Sequence, residues 1–170
     1  MTTKMKNQLK PFILTVLILI ADQISKLLVS TGLRVGEKIR VLGDFLWIWH
    51  VRNRGMAFSL GSRLPDPIRT VLFIALPLLV ISVLVLYYFK GSDITQGQRW
   101  CFAVIVGGGL GNQIDRIFRR QGVVDFISFK FYGFLGMERY PTFNVADSTV
   151  VVAGIILIIT LFFSEQRSRK

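Results

Sequence analysis

The chain has 170 residues, a net charge of +11 and a hydrophobic fraction of 52%, with a mean hydropathy of +0.53. One cysteine, Cys101, and one histidine, His50, exclude an intramolecular disulfide and a His/Cys zinc site. Apolar runs approaching the ~20 residues needed to cross a bilayer argue against a soluble domain, and no nucleic-acid motif accompanies the basic balance.

In chain order, the first apolar stretch runs from Pro11 to Val29 and carries Asp22, Gln23 and Lys26. Lys4, Lys6 and Lys10 precede it, as in a signal peptide. A small-residue cleavage site is missing, so an uncleaved helix is expected. Thr70 to Phe89 holds no charge, and Trp100 to Ile114 is uncharged up to Asp115 and Arg116. Ser148 to Phe163 is uncharged after Asp147. These runs predict a helical membrane protein with four transmembrane helices, near 11–29, 68–89, 99–117 and 146–163, in one domain spanning 1–170.

Four spans put both termini on one side. Basic residues are dense in the N-terminal tail, the Lys90–Arg99 connection and the tail with Arg167, Arg169 and Lys170. Arg34, Lys38, Arg40, Arg52, Arg54, Arg63, Arg119 and Arg120 are spread over longer segments. The positive-inside rule weighs short loops and flanks, so both termini are expected in the cytoplasm. Segments 30–67 and 118–145 then lie outside. In the first, a Gly43-Asp44 turn between strand-prone runs predicts a β-hairpin, and its tryptophans suit the membrane interface. In the second, Ile127, Phe129 and Phe131 alternate with Ser128 and Lys130, which predicts a strand. A small outer sheet or cradle follows.

Charges at membrane depth cost on the order of 2.5–3.5 kcal/mol each at a helix centre, and they persist when paired or functional. Asp22 and Lys26 share a helix face, fit for an ion pair. Asn112, Asp115 and Arg116 share another. The topology brings both groups, Asp125, Asn144 and Asp147 to the outer level. Asn144 is placed to cap the fourth helix, and Asp147 in its first turn would complement the dipole. Gly107 and Gly111, at GxxxG spacing, read as a close-packing face.

Two carboxylates held together away from water share a proton. One activates water while the other donates to the carbonyl or the leaving amine. That is aspartyl-protease chemistry, and it uses no metal, cofactor, cysteine or histidine. Spacing does not say which acids form the pair. Other chemistry also fits: a Ser–Lys hydrolase built on Ser25 or Ser59 with Lys26, a small ion or solute transporter using intramembrane charges, or an assembly factor whose charges only pair helices. Ser25 and Lys26 are adjacent and diverge by about 100° on a helix, a poor geometry for the hydrolase.

Five stretches occur in order: Asp22-Gln23-Ile24-Ser25-Lys26, Asn53-Arg54-Gly55-Met56-Ala57-Phe58-Ser59, Gly111-Asn112-Gln113-Ile114-Asp115-Arg116, Val123-Val124-Asp125-Phe126 and Phe143-Asn144-Val145-Ala146-Asp147-Ser148. Together they resemble the motifs of the bacterial lipoprotein signal peptidases, the type II signal peptidases, over nearly the whole chain. The resemblance implies that Asp125 and Asp147 are catalytic. It implies supporting roles for Asp22, Lys26, Asn53, Gly55, Asn112, Arg116, Asn144 and Ala146, to which Asp115 is added as a support. The implied reaction removes the signal peptide of a diacylglyceryl-modified prolipoprotein just before the lipidated cysteine. The implied setting is the bacterial cytoplasmic membrane, with the site near the outer leaflet and lipids as neighbours, and a dyad within one chain needs no partner subunit, so activity as a monomer is expected. Arg54 and Met56 stand where that family commonly has threonine and alanine, and Thr142 where it often has alanine.

Overall fold

The structure, a computed structural model, describes residues 3–55, 61 and 64–168. Met56 to Ser59 of the second motif, Arg63, Arg169 and Lys170 lie outside the described residues. A short helix α1 (Thr3–Leu9) leads into α2 (Phe12–Gly32), followed by strands β1 (Lys38–Leu42) and β2 (Leu46–Asn53). Next come α3 (Asp66–Thr70), a π-helical turn (Val71–Ala75), α4 (Leu76–Lys90), α5 (Gln96–Phe118), β3 (Val123–Phe129) and α6 (Val145–Ser168).

Among the described residues, three helices are long and apolar enough to cross a membrane: Asn7–Gly32, Asp66–Lys90 and Val145–Phe163. Their patterning is inverted relative to a soluble helix. On α2 the buried residues are Thr15, Asp22 and Lys26, while Ile13, Val16, Leu17, Ile20, Leu27 and Leu28 are exposed. Lipid outside and polar groups inside produce that inversion. The expected fourth span, α5, is long enough but less apolar, because it is the central helix. It packs on α2, α4 and α6, so glycines and polar side chains meet protein there.

The glycines set these contacts. A Cβ at Gly107 would lie 3.1 Å from Thr15 Cα, and one at Gly108 would lie 2.6 Å from the Ala146 carbonyl oxygen. One at Gly111 would lie 2.7 Å from Asp22 Oδ2. The glycine run therefore seats α5 against two helices at once, which agrees with its expected packing role.

Several element ends differ from expectation for local reasons. Helix α5 starts at Gln96 because Thr95 and Gln98 form a capping box. Pro77 lacks an N–H, and the π-helical turn just before it loosens the backbone ladder, with Leu76 N–H bonding Val71 O.

The three strands form one antiparallel sheet in the order β1-β2-β3. Leu42 pairs with Leu46, so the hairpin closes through Gly43, Asp44 and Phe45. The expected alternation in β3 fails at Ser128. That residue is fully buried while Ile127 and Phe129 are only half-buried. Arg139 explains it: its Nε donates to Ser128 Oγ at 3.1 Å. Phe143 exchanges backbone hydrogen bonds with Ile127 at 2.8 and 3.1 Å. This pins the entry to α6 against β3 and sets the distance between the two segments that carry Asp125 and Asp147.

Candidate active site

Helix α2 runs toward the sheet, α5 ends beside it and α6 starts beside it. Charged groups on all three converge at that end. Lys26 Nζ lies 2.8 Å from Asp22 Oδ2 and 3.3 Å from Asp115 Oδ2, and all three side chains are fully buried. One cation thus meets two anions. Arg119 Nε adds a second cation, 3.0 Å from Asp115 Oδ1. Buried ions persist only when their remaining hydrogen-bonding positions are filled. Asp22 Oδ1 accepts from Ala146 N–H at 3.0 Å, and Asp115 Oδ2 accepts from Val124 N–H at 3.0 Å. Through these bonds the ion cluster anchors both α6 and β3.

Asn112 and Asn144 connect this cluster to the two remaining acids. Lys26 Nζ donates to Asn112 Oδ1 at 3.0 Å. The Asn112 amide is thereby oriented with Nδ2 toward Asp147 Oδ1, at 2.7 Å. Asn144 Nδ2 donates to Asp125 Oδ1 at 2.7 Å and to Asn112 Oδ1 at 3.1 Å. At the start of α6, Asp147 N–H donates to Asn144 Oδ1 at 3.0 Å while Asn144 N–H donates to Asp147 Oδ2 at 3.1 Å. That reciprocal pair is a capping box with aspartate in the glutamate position. Asn144 therefore holds both Asp125 and Asp147.

On the outer flank, Asn53 Nδ2 donates to Asp125 Oδ2 at 2.9 Å. Asn53 Oδ1 accepts from Gly55 N–H at 2.9 Å, and Gly55 O accepts from Arg116 Nη2 at 2.8 Å. The Arg116 guanidinium also lies 5.3 Å from the centre of the Phe73 ring. Burial, and then the neighbouring Asp147 charge, push the Asp125 carboxyl up to about 7, against the opposing pull of its bonds to Asn53 and Asn144.

Each residue named from the sequence as catalytic or supporting reaches this network: Asp22, Lys26, Asn53, Gly55, Asn112, Asp115, Arg116, Asp125, Asn144, Ala146 and Asp147. Sequence reasoning missed Gln23. Its Nε2 lies 3.1 Å from Asp22 Oδ2, 3.1 Å from Gly111 O and 3.2 Å from Asp115 Oδ1. Its place between Asp22 and Lys26 was the available signal. The serine-based alternative loses its geometry: Ser25 Oγ donates to Asp22 O at 2.8 Å, and Lys26 is committed to carboxylates. Ser59 lies outside the described residues.

Residues 14–163 match the family model described as signal peptidase (SPase) II. A lipoprotein signal peptidase of Treponema denticola is 45% identical over 97% of this chain and 95% of its own length. One from Treponema pallidum is 40% identical over 98% of this chain and 90% of its own length. Among solved structures, a bacterial membrane enzyme determined by the in meso method at 2.3 Å superposes with a TM-score of 0.79 at 27% identity, covering 95% of this chain and 92% of that one.

Proposed function

The chain belongs to the signal peptidase II family, and from that premise we propose that it is a membrane aspartyl endopeptidase with Asp125 and Asp147 as its catalytic pair. The observation that carries this reading is the double hold of Asn144: its side chain bonds Asp125 and its backbone bonds Asp147, in a buried setting.

A pair so held shares one proton near neutral pH. The ionised carboxylate takes a proton from water, and the water oxygen attacks the amide carbon. The protonated carboxyl donates to the carbonyl oxygen, and a proton delivered to the amide nitrogen lets the C–N bond break. This chemistry draws on two carboxyls and water alone. Asn112, Asn144 and Asn53 orient the acids. Asp22, Lys26 and Asp115 fix the scaffold, with Ala146 at its contact with α6. Gly55 and Arg116 brace the flank.

The substrate in this reading is a diacylglyceryl-modified prolipoprotein, cut just before its lipidated cysteine. The names of the relatives support a lipoprotein substrate. The exposed apolar helix faces suit a substrate that arrives through lipid. Helix α5 serves as a fourth span in a single domain over 1–170, with both termini in the cytoplasm and the sheet at the outer surface. One chain supplies both acids, so a monomer suffices.

The test is cleavage of a diacylated prolipoprotein by Asp125→Asn and Asp147→Asn variants in membranes. Both are expected to insert and fold and to lose about 10²- to 10⁴-fold in rate, the range of general acid–base contributions. Near wild-type cleavage by either variant would overturn the assignment.

A further inference from the structure

The sheet has a second face. Side chains alternate along a strand, and β2 pairs Val51 with Asp125, Arg52 with Val124, and Asn53 with Val123. Asn53 and Asp125 therefore share the face of the proposed active site, and Arg52 projects from the other. Just before it the register slips between Ile48 and Val51. Such bulges re-aim side chains, and here the displaced region holds His50, the one histidine of the chain.

A cavity of about 560 Å³ opens on this far face, lined by Ser30, Thr31, Arg34, Glu37, His50 and Arg52, among others. Two buried atoms in it lack a hydrogen-bond partner among the described residues: His50 Nε2 and Arg52 Nε. The histidine is 1% exposed. Its Nδ1 lies 2.9 Å from Leu33 O, and only a protonated Nδ1 can make that bond. In the neutral ring Nε2 then carries a lone pair. The lining residues thus carry an unmet acceptor and an unmet donor two positions apart on β2, and leaving buried polar groups unmet is costly.

The surrounding charge narrows what fits. Arg34 and Arg52 oppose the single acid Glu37, whose Oε2 accepts from Arg34 N–H at 2.8 Å. Burial and the nearby Arg119 charge press the Arg52 guanidinium below its ordinary value, against the opposing pull of Asp115. At the end of α2, Leu33 N–H meets Val29 O and the hydroxyls of Ser30 and Thr31 meet Leu27 O, and the two arginines offset the partial negative charge of the last carbonyls. The cavity also sits where the apolar stretch Asn7–Gly32 ends, directly beyond exposed Leu27 and Leu28.

We propose that this cavity binds the head group of an anionic phospholipid that carries a free hydroxyl. The phosphate sits between Arg34 and Arg52. The hydroxyl donates to His50 Nε2, and an oxygen of the head group accepts from Arg52 Nε–H. The acyl chains run down the Leu27 and Leu28 surface of α2. Charge pairing of this kind is how basic pockets between membrane helices bind anionic head groups. The site stands behind the sheet and does not depend on the catalytic assignment.

The test uses the full chain in phosphatidylcholine nanodiscs containing a minor share of phosphatidylglycerol, extracted gently and weighed by native mass spectrometry. Phosphatidylglycerol is expected to be retained over phosphatidylcholine. Arg34→Ala and Arg52→Gln are each expected to weaken that retention about tenfold, the loss of one charge-assisted hydrogen bond. His50→Phe tests the acceptor, and Arg34→Ala, at an exposed residue, remains informative if His50→Phe does not fold. Equal retention of the two lipids, or retention unchanged in Arg34→Ala and Arg52→Gln, overturns the proposal. So does a thermal shift by free glycerol phosphate without phosphatidylglycerol enrichment, which would assign the cavity to a soluble phosphoester. Water alone as the occupant gives equal retention and no shift.

Discussion

Asn112 donates to Asp147 Oδ1 at 2.7 Å while its own oxygen is engaged by Lys26 Nζ at 3.0 Å and by Asn144 Nδ2 at 3.1 Å. The lysine is thus a positioning residue for an acid on a different helix. Its charge also neutralises Asp22 and Asp115 in a fully buried cluster. Lys26→Met would strand Asp22 and leave Asp115 with Arg119 as its one cation. Breaking a buried ion pair costs about 3–5 kcal/mol. The variant is expected to unfold at lower temperature in detergent and to lose activity, whereas Ser25→Ala, one residue away, keeps both. Equal thermal stability of Lys26→Met and wild type would refute the scaffold role.

The Asp125 carboxyl, pushed up to about 7, makes the proposed reaction pH-dependent. As pH rises through that value the pair loses its shared proton, so kcat is expected to fall on the alkaline side. The apparent values belong to the pair. The Asn53 bond favours the charged form of Asp125. Asn53→Ala therefore should move the alkaline limb to higher pH, while total activity drops. A limb that stays still or moves down would contradict this.

The same shift makes a stability prediction. An unfolded Asp125 would lose its proton near 3.8 and the folded one near 7. Between those values the folded chain binds more protons, so its contribution to stability is lost as pH rises. Asp125→Asn removes that loss. Its melting temperature relative to wild type is expected to be more favourable at pH 8 than at pH 4. An unchanged difference would show that the carboxyl is not strained.

Gly108 carries a packing prediction. A methyl there meets Thr149 Oγ1 at 2.5 Å and Ala146 O at 2.6 Å. Gly108→Ala is expected to destabilise the fold by about 1–3 kcal/mol, the usual cost of overpacking. It should also lower kcat by pushing α6, and Asp147 with it, away from Asn112. Gly97→Ala, with open space around its Cβ position, is the control and should leave thermal unfolding and kcat unchanged.

Much of this was legible in the order of residues. Runs of apolar side chains marked the helices, since a bilayer demands length and hydrophobicity that local pattern reports. Charges placed within those runs marked the site region, since burying them needs a reason. The hairpin showed in its turn residues, and β3 was expected as a strand although its sides were assigned the wrong way round at Ser128. Gln23 escaped, because its role depends on Gly111 and Asp115 standing next to it in space. The burial of Ser128 escaped because Arg139 arrives from a later loop. Helix α5 reads as one more span, and only packing shows that it is the centre, enclosed by its neighbours. The acidic cluster at one end followed from spacing and topology. The resemblance already set Asp125 and Asp147 apart from Asp22 and Asp115, and three-dimensional contact gave the physical partners, Lys26 for one pair and Asn144 for the other. Periodicity along a chain reports which side chains share a face, whereas the partner that neutralises a buried charge comes from another segment, and folding alone brings the two together.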